Sequence, residues 1–244
     1  MHPYNIVNLH SVSSTNDWAK KAYAAGNLLP NTVIVAETQT AGRGQLRTLW
    51  HDEPGKNLLA TILIEPKNLK VVDFFALNEA VTLALVQVLE RYISVKIKWP
   101  NDIICGTQKL AGVLIETAIS GDKIKLAYLG IGLNVNQQIF PKELHATSLA
   151  QETHEHFDIA NLLFDLLSEL HRQLGVSNLE NLHANYLQHV YGLGQKLYFK
   201  RNGVRFRAKV ETILPNGTLI LRLEGSGKLV PYQFKEVDWI LTNE

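Results

Sequence analysis

Two glycines flank an arginine in the stretch TQTAGRGQLRTLW, residues 38–50, and a second arginine and a tryptophan follow. Gly42 and Gly44 would let the chain turn tightly and present backbone N–H groups to a ligand, while Arg43 and Arg47 supply planar donors suited to phosphate or carboxylate. The stretch matches neither common phosphate-binding fingerprint. No Gly-Lys-Ser/Thr follows, and Arg47 stands where the third glycine of a dinucleotide loop would be. By itself the loop reads either as an anion clamp or as a solvated turn.

Two further stretches carry chemistry-bearing residues. In KWPNDIICGTQKLAGVLIE, residues 98–116, Pro100 breaks a strand that ends at Trp99 and leaves Asn101 and Asp102 at the strand end. Function often sits there, although Asn and Asp favour turns in any protein. Lys109 opens an almost uncharged strand just before Leu110, Ala111 and Gly112. Its ammonium would either reach along a sheet to a group bound over Gly112 or snorkel from an edge. In GIGLNVN, residues 130–136, Gly130 and Gly132 weaken a strand unless something approaches its backbone closely. The two-residue period puts Asn134 and Asn136 on the same side, which reads as a pocket wall or a sheet-end turn.

The common catalytic constellations are absent from the sequence. There is no GxSxG and no HExxH, and His154 and His156 lie in the polar stretch QETHEHFD, where they read as solvated rather than metal-binding. The residues on offer suit a reaction in which the reactants do the covalent work while the protein aligns them and neutralises phosphate charge.

The elements that must position these residues follow from periodicity. Strands are expected at residues 5–9, 31–37, 56–65, 95–99, 109–119 and 123–135, with SGDK turning the last two into a hairpin. A helix over 13–26 starts with the capping types Ser14, Thr15 and Asn16 and ends at Gly26. The apolar spacing from 72 to 92 predicts a long helix with a wet face of Asn78, Glu79, Gln87, Glu90 and Arg91. Helices at 157–175 and 179–189 follow. After residue 190, four short strands separated by Asn-Gly or Gly-Ser turns predict a small β-barrel. The fold class expected is α+β, a mixed sheet covered by helices over 1–190 and a small β domain over 191–244.

Composition narrows the class. The chain has 244 residues, 46% apolar and 19% charged, with a formal net charge of +1, which fits an ordinary globular protein rather than a disordered or generally basic one. Cys105 is the only cysteine, so neither an intrachain disulfide nor a cysteine-rich zinc site is expected. No leader pattern and no run of uncharged apolar residues of spanning length is visible, and a cytoplasmic protein without a membrane span is expected.

Taken in order, SSTN at 13–16, QTAGRG at 39–44, KWPND at 98–102, KLAGVLIE at 109–116 and GIGLNVN at 130–136 resemble the bacterial biotin-protein ligases, of the kind lacking an N-terminal DNA-binding domain. The resemblance implies a catalytic domain like that of class II aminoacyl-tRNA synthetases, followed by an SH3-like domain. It implies that biotin and MgATP give biotinyl-5′-adenylate and pyrophosphate, and that a lysine of a biotin carboxyl carrier protein or domain then attacks the adenylate. Carried onto this chain, Ser14, Thr15, Asn16 and Gln39 would meet the biotin head, with Gly112, Gly130 and Gly132 as pocket wall. Gly42, Arg43, Gly44 and Gln45 would wrap the adenylate phosphate, and Lys109 would reach both the biotin carboxylate and that phosphate. Asn101 and Asp102 would orient the nucleotide and its Mg2+, Asn134 would support the nucleotide side, and Asp102 would also serve as a base toward the incoming lysine. Trp50 would anchor the loop's far end or wall the adenine site. No DNA or membrane partner is implied, and a homodimer in equilibrium with monomer is expected.

Two rival readings remain. Lipoate- or octanoate-protein ligases share the fold and the acyl-adenylate logic. A nucleic-acid-binding role rests on the seven Lys or Arg residues against one acid between Gln195 and Arg222. One departure from the ligase pattern stands out: Gln45 occupies the second arginine of GRGRxGRxW, Arg47 its glycine and Thr48 its third arginine. Losing the glycine removes positive-φ freedom from the loop. Arg47→Gly should therefore slow the escape of labelled adenylate when no acceptor is present and Arg43→Ala should hasten it, and equal release by wild type and both variants would mean that the loop does not close over the intermediate.

Overall fold

The computed structural model describes residues 4–44, 49–176 and 178–241. Strand β1 (Asn5–Val12) runs through helix α1 (Thr15–Ala24) into β2 (Thr32–Gln39), and β1 and β2 pair in parallel. Every other strand contact in this sheet is antiparallel. Strands β3 (Asn57–Ile64), β4 (Lys96–Lys98), β5 (Asp102–Cys105), β6 (Gln108–Ser120) and β7 (Lys123–Asn134) complete seven strands in the order β1-β2-β3-β7-β6-β5-β4. The mixed sheet expected from the sequence is present. Strand β5, too short and too close to a turn to show a period, was not expected.

The sheet has two different faces. On one, α1 covers Ile34, Leu63, Leu126 and Tyr128. On the other, residues one step out of phase, among them Val33, Ile62, Leu129 and Ile131, meet α2 (Phe75–Leu89) and α4 (Ile159–Leu174), and α5 (Leu179–His189) packs on α2. A short α3 (Leu149–Thr153) precedes α4. Helix α2 corrects the sequence reading of a wet face at Asn78 and Glu79, while Gln87 is half-buried and Glu90 and Arg91, just past the helix end, are exposed as expected. Apart from Gln87 every residue of it is buried, Asn78 and Glu79 included, because α4 and α5 cover the side turned away from the sheet. Its polar groups are satisfied internally: Asn78 Nδ2 donates to Pro100 O at 2.6 Å, and the Thr82 hydroxyl donates to Asn78 O at 2.8 Å. Residues Val71–Leu89 reach a mean hydropathy of 1.6 and are long enough to cross a membrane, but here Val71–Asp73 form a largely exposed 3-10 turn and Phe75–Leu89 the central core helix.

The second sheet contains β8 (Lys196–Arg201), β9 (Val204–Ile213), β10 (Leu219–Leu223), β11 (Leu229–Tyr232) and β12 (Asp238–Ile240), ordered β11-β10-β9-β8-β12 and antiparallel throughout. The sequence indicated four of these; β12, three residues long, has too little length to show alternation. On the outer face Arg205 and Arg207 both lie over the Tyr198 ring, at 4.1 and 5.6 Å. Glu211 and Glu224 pair with Arg222 at 2.9 Å and Lys196 at 3.0 Å. That pattern is an ordinary charge-balanced surface.

The two sheets meet at the turn after β4. Tyr191 N–H donates to Ile97 O at 2.8 Å, and Trp99 Nε1–H donates to Gly217 O at 2.9 Å in the β9–β10 turn. Gly217 has φ +87°, and a Cβ there would lie 2.6 Å from the Phe75 ring of α2. Gly217→Ala combines a left-handed backbone with overpacking and should cost about 2–4 kcal/mol. Thermal unfolding should show Tm lower by about 5–15 °C; an unchanged Tm would mean that this turn does not seat against Phe75 in solution.

Candidate active site

Strand register lays a strip of small residues across the sheet. Lys98 pairs with Asp102, Asp102 with Gly112, Gly112 with Gly132 and Gly132 with Leu59; in the next row Leu114, Gly130 and Thr61 are neighbours. Because side chains alternate, these residues share the face that carries α1. Above the strip lies a cavity of about 220 Å³, walled by the start of α1, by Arg43, Gly44 and Trp50, by the 98–102 turn and by the segment from β11 into β12. It is smaller than the roughly 300–1,000 Å³ of a usual small-molecule cleft. The glycine floor is partly covered by protein: a Cβ on Gly132 would lie 2.7 Å from the Trp50 indole, and one on Gly112 would lie 3.0 Å from Lys109 Nζ.

Ser14, Thr15 and Asn16 line the cavity from the first turn of α1. The capping role expected of their side chains is corrected. Ser14 occupies the N-cap without a side-chain bond, and Gln39 Oε1 takes the Thr15 N–H at 2.8 Å instead. Thr61 donates to Asn16 Oδ1 at 2.6 Å, and Asn16 Nδ2 donates to Glu116 Oε2 at 2.8 Å. Gly130 makes this possible, since a Cβ there would lie 2.7 Å from Asn16 Oδ1 and 2.9 Å from Leu114 O. Lys20 reaches Glu116 from the other side at 2.5 Å. Burial alone would raise the Glu116 pKa, but the Lys20 and Asn16 hydrogen bonds and the Lys20 and Arg43 charges outweigh it and hold the carboxyl below its usual range. Thr61, Lys20 and Glu116 carried no sequence signal, because each reads as a routine strand or helix residue.

The base of the arginine loop is closed by Trp50 N–H donating to Gly42 O at 2.9 Å and by a bridge between Arg43 and Leu49. Gly42 is not at positive φ and does not line the cavity; it is small because a Cβ would meet Gln39 Nε2 at 3.1 Å and Trp50 Cβ at 3.2 Å. Gly44 lines the cavity, while Gln45, Arg47 and Thr48 lie outside the described residues. Trp50 rests on the Gly112–Gly132 floor itself. Arg43 and Lys109, expected to converge on one anion, are each paired with their own acids. Arg43 Nη2 bonds Asp17 and lies 3.9 Å from Glu116, whereas Lys109 Nζ sits 2.7 Å from Asp102 and 5.6 Å from the Trp50 ring centre.

Lys109 is not a loose edge residue. Its N–H donates to His145 O at 2.8 Å and its carbonyl accepts from Thr147 N–H at 2.9 Å. Asn134 holds that same segment, donating from Nδ2 to Thr147 O at 2.9 Å, and it lies buried beneath it rather than on the cavity wall where the sequence put it. Asn136 likewise turns inward, to Phe157 O at 2.8 Å. Asn101 does line the cavity, fixed by hydrogen bonds with Val113 across the β5–β6 turn.

The second sheet supplies a wall that sequence reasoning missed: Phe234, Lys235, Val237, Asp238 and Trp239. Nothing local in QFKEVDW marks it, and only the pairing of β12 with β8 brings it there. Three lysines therefore share the cavity, Lys98, Lys109 and Lys235, with Asp102 and Asp238 among them. Desolvation lowers the Lys98 pKa; Asp102 and Asp238 oppose this, and Lys109 and Lys235 add to it. Among the described residues, Arg43 Nε, Trp50 Nε1 and Trp239 Nε1 are buried N–H groups without an acceptor. Unmet donors beside crowded ammonium groups fit an acceptor-rich anionic ligand. Thiol chemistry is not on offer, because burial and then the neighbouring Glu152 push the Cys105 pKa up to about 11.

The Lys98 shift has a sign. A lysine whose pKa is lower folded than unfolded destabilises the fold at neutral pH, and the penalty is relieved as pH rises through the folded value. Lys98→Met should accordingly raise the stability of the protein at pH 7. Urea unfolding should show a higher midpoint with the same slope, and a lower midpoint would contradict the charge crowding.

Comparison with known proteins agrees with this geometry. The sequence model of the biotin/lipoate A/B protein ligase family matches residues 9–135, just over half of the chain. The bifunctional ligase/repressor BirA of Bacillus subtilis is 30% identical over 230 residues, covering 90% of this chain and 70% of that protein. The biotin–[acetyl-CoA-carboxylase] ligase of Paracoccus denitrificans is 26% identical over 238 residues, covering 91% and 96%. Among solved structures, the biotin protein ligase of Aquifex aeolicus in complex with biotin and ATP superposes with a TM-score of 0.76 at 26% identity, covering 96% of this chain and 97% of that one. The chain belongs to the biotin/lipoate A/B protein ligase family.

Proposed function

We propose that this protein is an ATP-dependent biotin-protein ligase. The observation that carries the reading is the glycine floor beneath unpaired N–H donors and three lysines, a surface that accepts a flat, apolar-bodied ligand at one end and negative charge at the other. The Paracoccus denitrificans relative is named as a biotin–[acetyl-CoA-carboxylase] ligase, and the Aquifex aeolicus enzyme was solved with biotin and ATP. Lipoate transfer is therefore not favoured.

In the first step a biotin carboxylate oxygen attacks the α-phosphorus of ATP, the bond to the β-phosphate oxygen breaks, and pyrophosphate leaves. The two reactants repel each other, so the site must offset that repulsion before they align. Lys109, its backbone pinned on both sides, is placed to exchange Asp102 for the carboxylate and phosphate, and Arg43 to exchange Asp17 for the phosphate. Ser14, Thr15 and Asn16, over Gly130, form the biotin-head end; Trp50 would lift from Gly112 and Gly132 and cover the ligand, excluding water from the anhydride. In the second step the amine of an acceptor lysine attacks the biotinyl carbonyl, AMP leaves, and the amine proton is lost, with Asp102 as the candidate base. The acceptor would be a biotin carboxyl carrier protein or domain.

The described residues contain no group of three or more His, Cys, Asp or Glu side chains placed to hold a metal. Mg2+ bound through nucleotide phosphates needs only one or two protein carboxylates, and Asp102, with Asp238 also at the cavity, would be the residue to hold it. When bound, the ion would neutralise phosphate charge at that end.

Purified protein should release pyrophosphate from ATP in a biotin-dependent way without any acceptor, and calorimetry showing no biotin binding with or without ATP would overturn the assignment. Lys109→Ala should lower kcat/KM by about 10². A loss below about threefold would leave Lys109 a structural residue rather than a catalytic one.

A further inference from the structure

Buried polar side chains of α2 and α5 stand outside the cavity, and the reaction above uses none of them. Glu79 is 2% exposed, with Oε1 2.6 Å from His183 Nδ1; the other ring nitrogen, Nε2, lies 3.0 Å from Ile213 O at the end of β9. One residue before Glu79, Asn78 donates to Pro100 O at 2.6 Å, and one turn after His183 the Tyr186 hydroxyl donates to the same carbonyl at 3.2 Å. The His183 and Tyr186 rings stack at 6.5 Å and 17°, and Phe75 meets Tyr186 edge-on at 5.5 Å. Each helix thus contributes one side chain to the Glu79–His183 pair and one to the Pro100 carbonyl. The β9–β10 hairpin closes the arrangement from the other sheet, its Ile213 and Gly217 carbonyls accepting from His183 and Trp99.

His183 faces a carboxylate and a carbonyl, both acceptors. Both contacts are hydrogen bonds only when the pair holds one proton beyond neutral imidazole and carboxylate, either as imidazolium with carboxylate or as imidazole with carboxylic acid. Desolvation raises the Glu79 pKa against the opposing hydrogen bond and charge of His183. The turn needs an external hold. It joins two strands of three and four residues at the sheet edge and carries Lys98 into a cavity already holding Lys109 and Lys235.

We propose that Glu79 and His183 are positioning residues, a brace spanning α2, α5 and the second sheet that fixes the Trp99–Asp102 turn and so sets Lys98, Asn101 and Asp102 at the nucleotide end of the cavity. The inference rests on the ligase reading for its catalytic consequence, but its structural part stands apart from it. The brace acts on one end of the site: the biotin-head end is built by Gln39, Thr61 and Glu116, none of which touches it.

Two measurements test this. In biotin-dependent pyrophosphate release, Glu79→Ala and His183→Ala should raise the KM for ATP about tenfold, the scale of a displaced positioning group, and leave the KM for biotin within about twofold. Glu79→Gln should keep both near wild type, because an amide N–H can donate to Nδ1 while Nε2–H still donates to Ile213 O. Hydrogen exchange supplies the second readout. Peptides covering residues 96–105 should lose protection in the alanine variants and not in Glu79→Gln, while those covering residues 12–18 stay unchanged. His183→Phe, which keeps a ring against Tyr186 without the hydrogen bonds, should reproduce the alanine result and serves where an alanine variant does not fold. Equal changes in both KM values, or loss of protection spread evenly over the chain, would overturn the brace. A wild type that neither binds biotin nor releases pyrophosphate would sink the ligase reading alone, with the exchange result still deciding the brace.

Discussion

No side chain fits on the strip formed by Gly112, Gly130 and Gly132: a Cβ at Gly132 would touch the Trp50 ring and one at Gly130 would touch both Asn16 and a neighbouring carbonyl. A central strand normally buries side chains on both faces, and β7 gives up half of that contact where the cavity lies. The loss is made up on the opposite face, where Leu129, Ile131 and Leu133 meet the helical layer. Helix α2 lies between that face and the covering helices α4 and α5, so it is buried nearly all round and resembles a membrane span in composition while sitting in the middle of a globular fold.

The strip alone would be an apolar slot. What gives it chemistry is the crowding of cations at one end, and the fold tolerates them because each of the two principal ones has a carboxylate at hand, Asp17 for Arg43 and Asp102 for Lys109. These pairs are partly exposed, so they are exchangeable rather than locked, and an incoming phosphate competes with a carboxylate instead of having to strip water from a bare charge. Lys98 stands among these cations with its pKa lowered by desolvation, which Asp102 and Asp238 oppose. The indole and guanidinium N–H groups without acceptors add unmet donors. A site that is slightly unfavourable in its resting state is one poised for an anionic guest.

Much of this was legible in the chain. The alternation of Gly130 with Gly132, the lysine opening KLAG and the Asn-Asp pair after Pro100 each carry a local reason to stand beside a ligand, and the register joins these segments as neighbours in one sheet. Strand β5, the buried polar face of α2 and the inward turn of Asn134 were not legible. In each case the residue's own neighbours in sequence give an ordinary reading, and a partner far along the chain overrides it: Gly112 for Asp102, His183 for Glu79, Thr147 for Asn134.

The sequence by itself determined the strands and helices with clear period, the glycines that must face something large, and the presence of cations able to meet an anion. Those properties are local, set by backbone sterics and side-chain type within a few residues. Only the tertiary structure decided which acid each cation meets, that Trp50 lies on the glycine floor, and that Lys235, Asp238 and Trp239 complete the cavity from a sheet built more than a hundred residues after the Arg43 loop. Such pairings depend on strand register and on how two sheets dock through the Trp99 and Gly217 contact. They arise from long-range packing, which leaves no periodic trace in the chain that carries it.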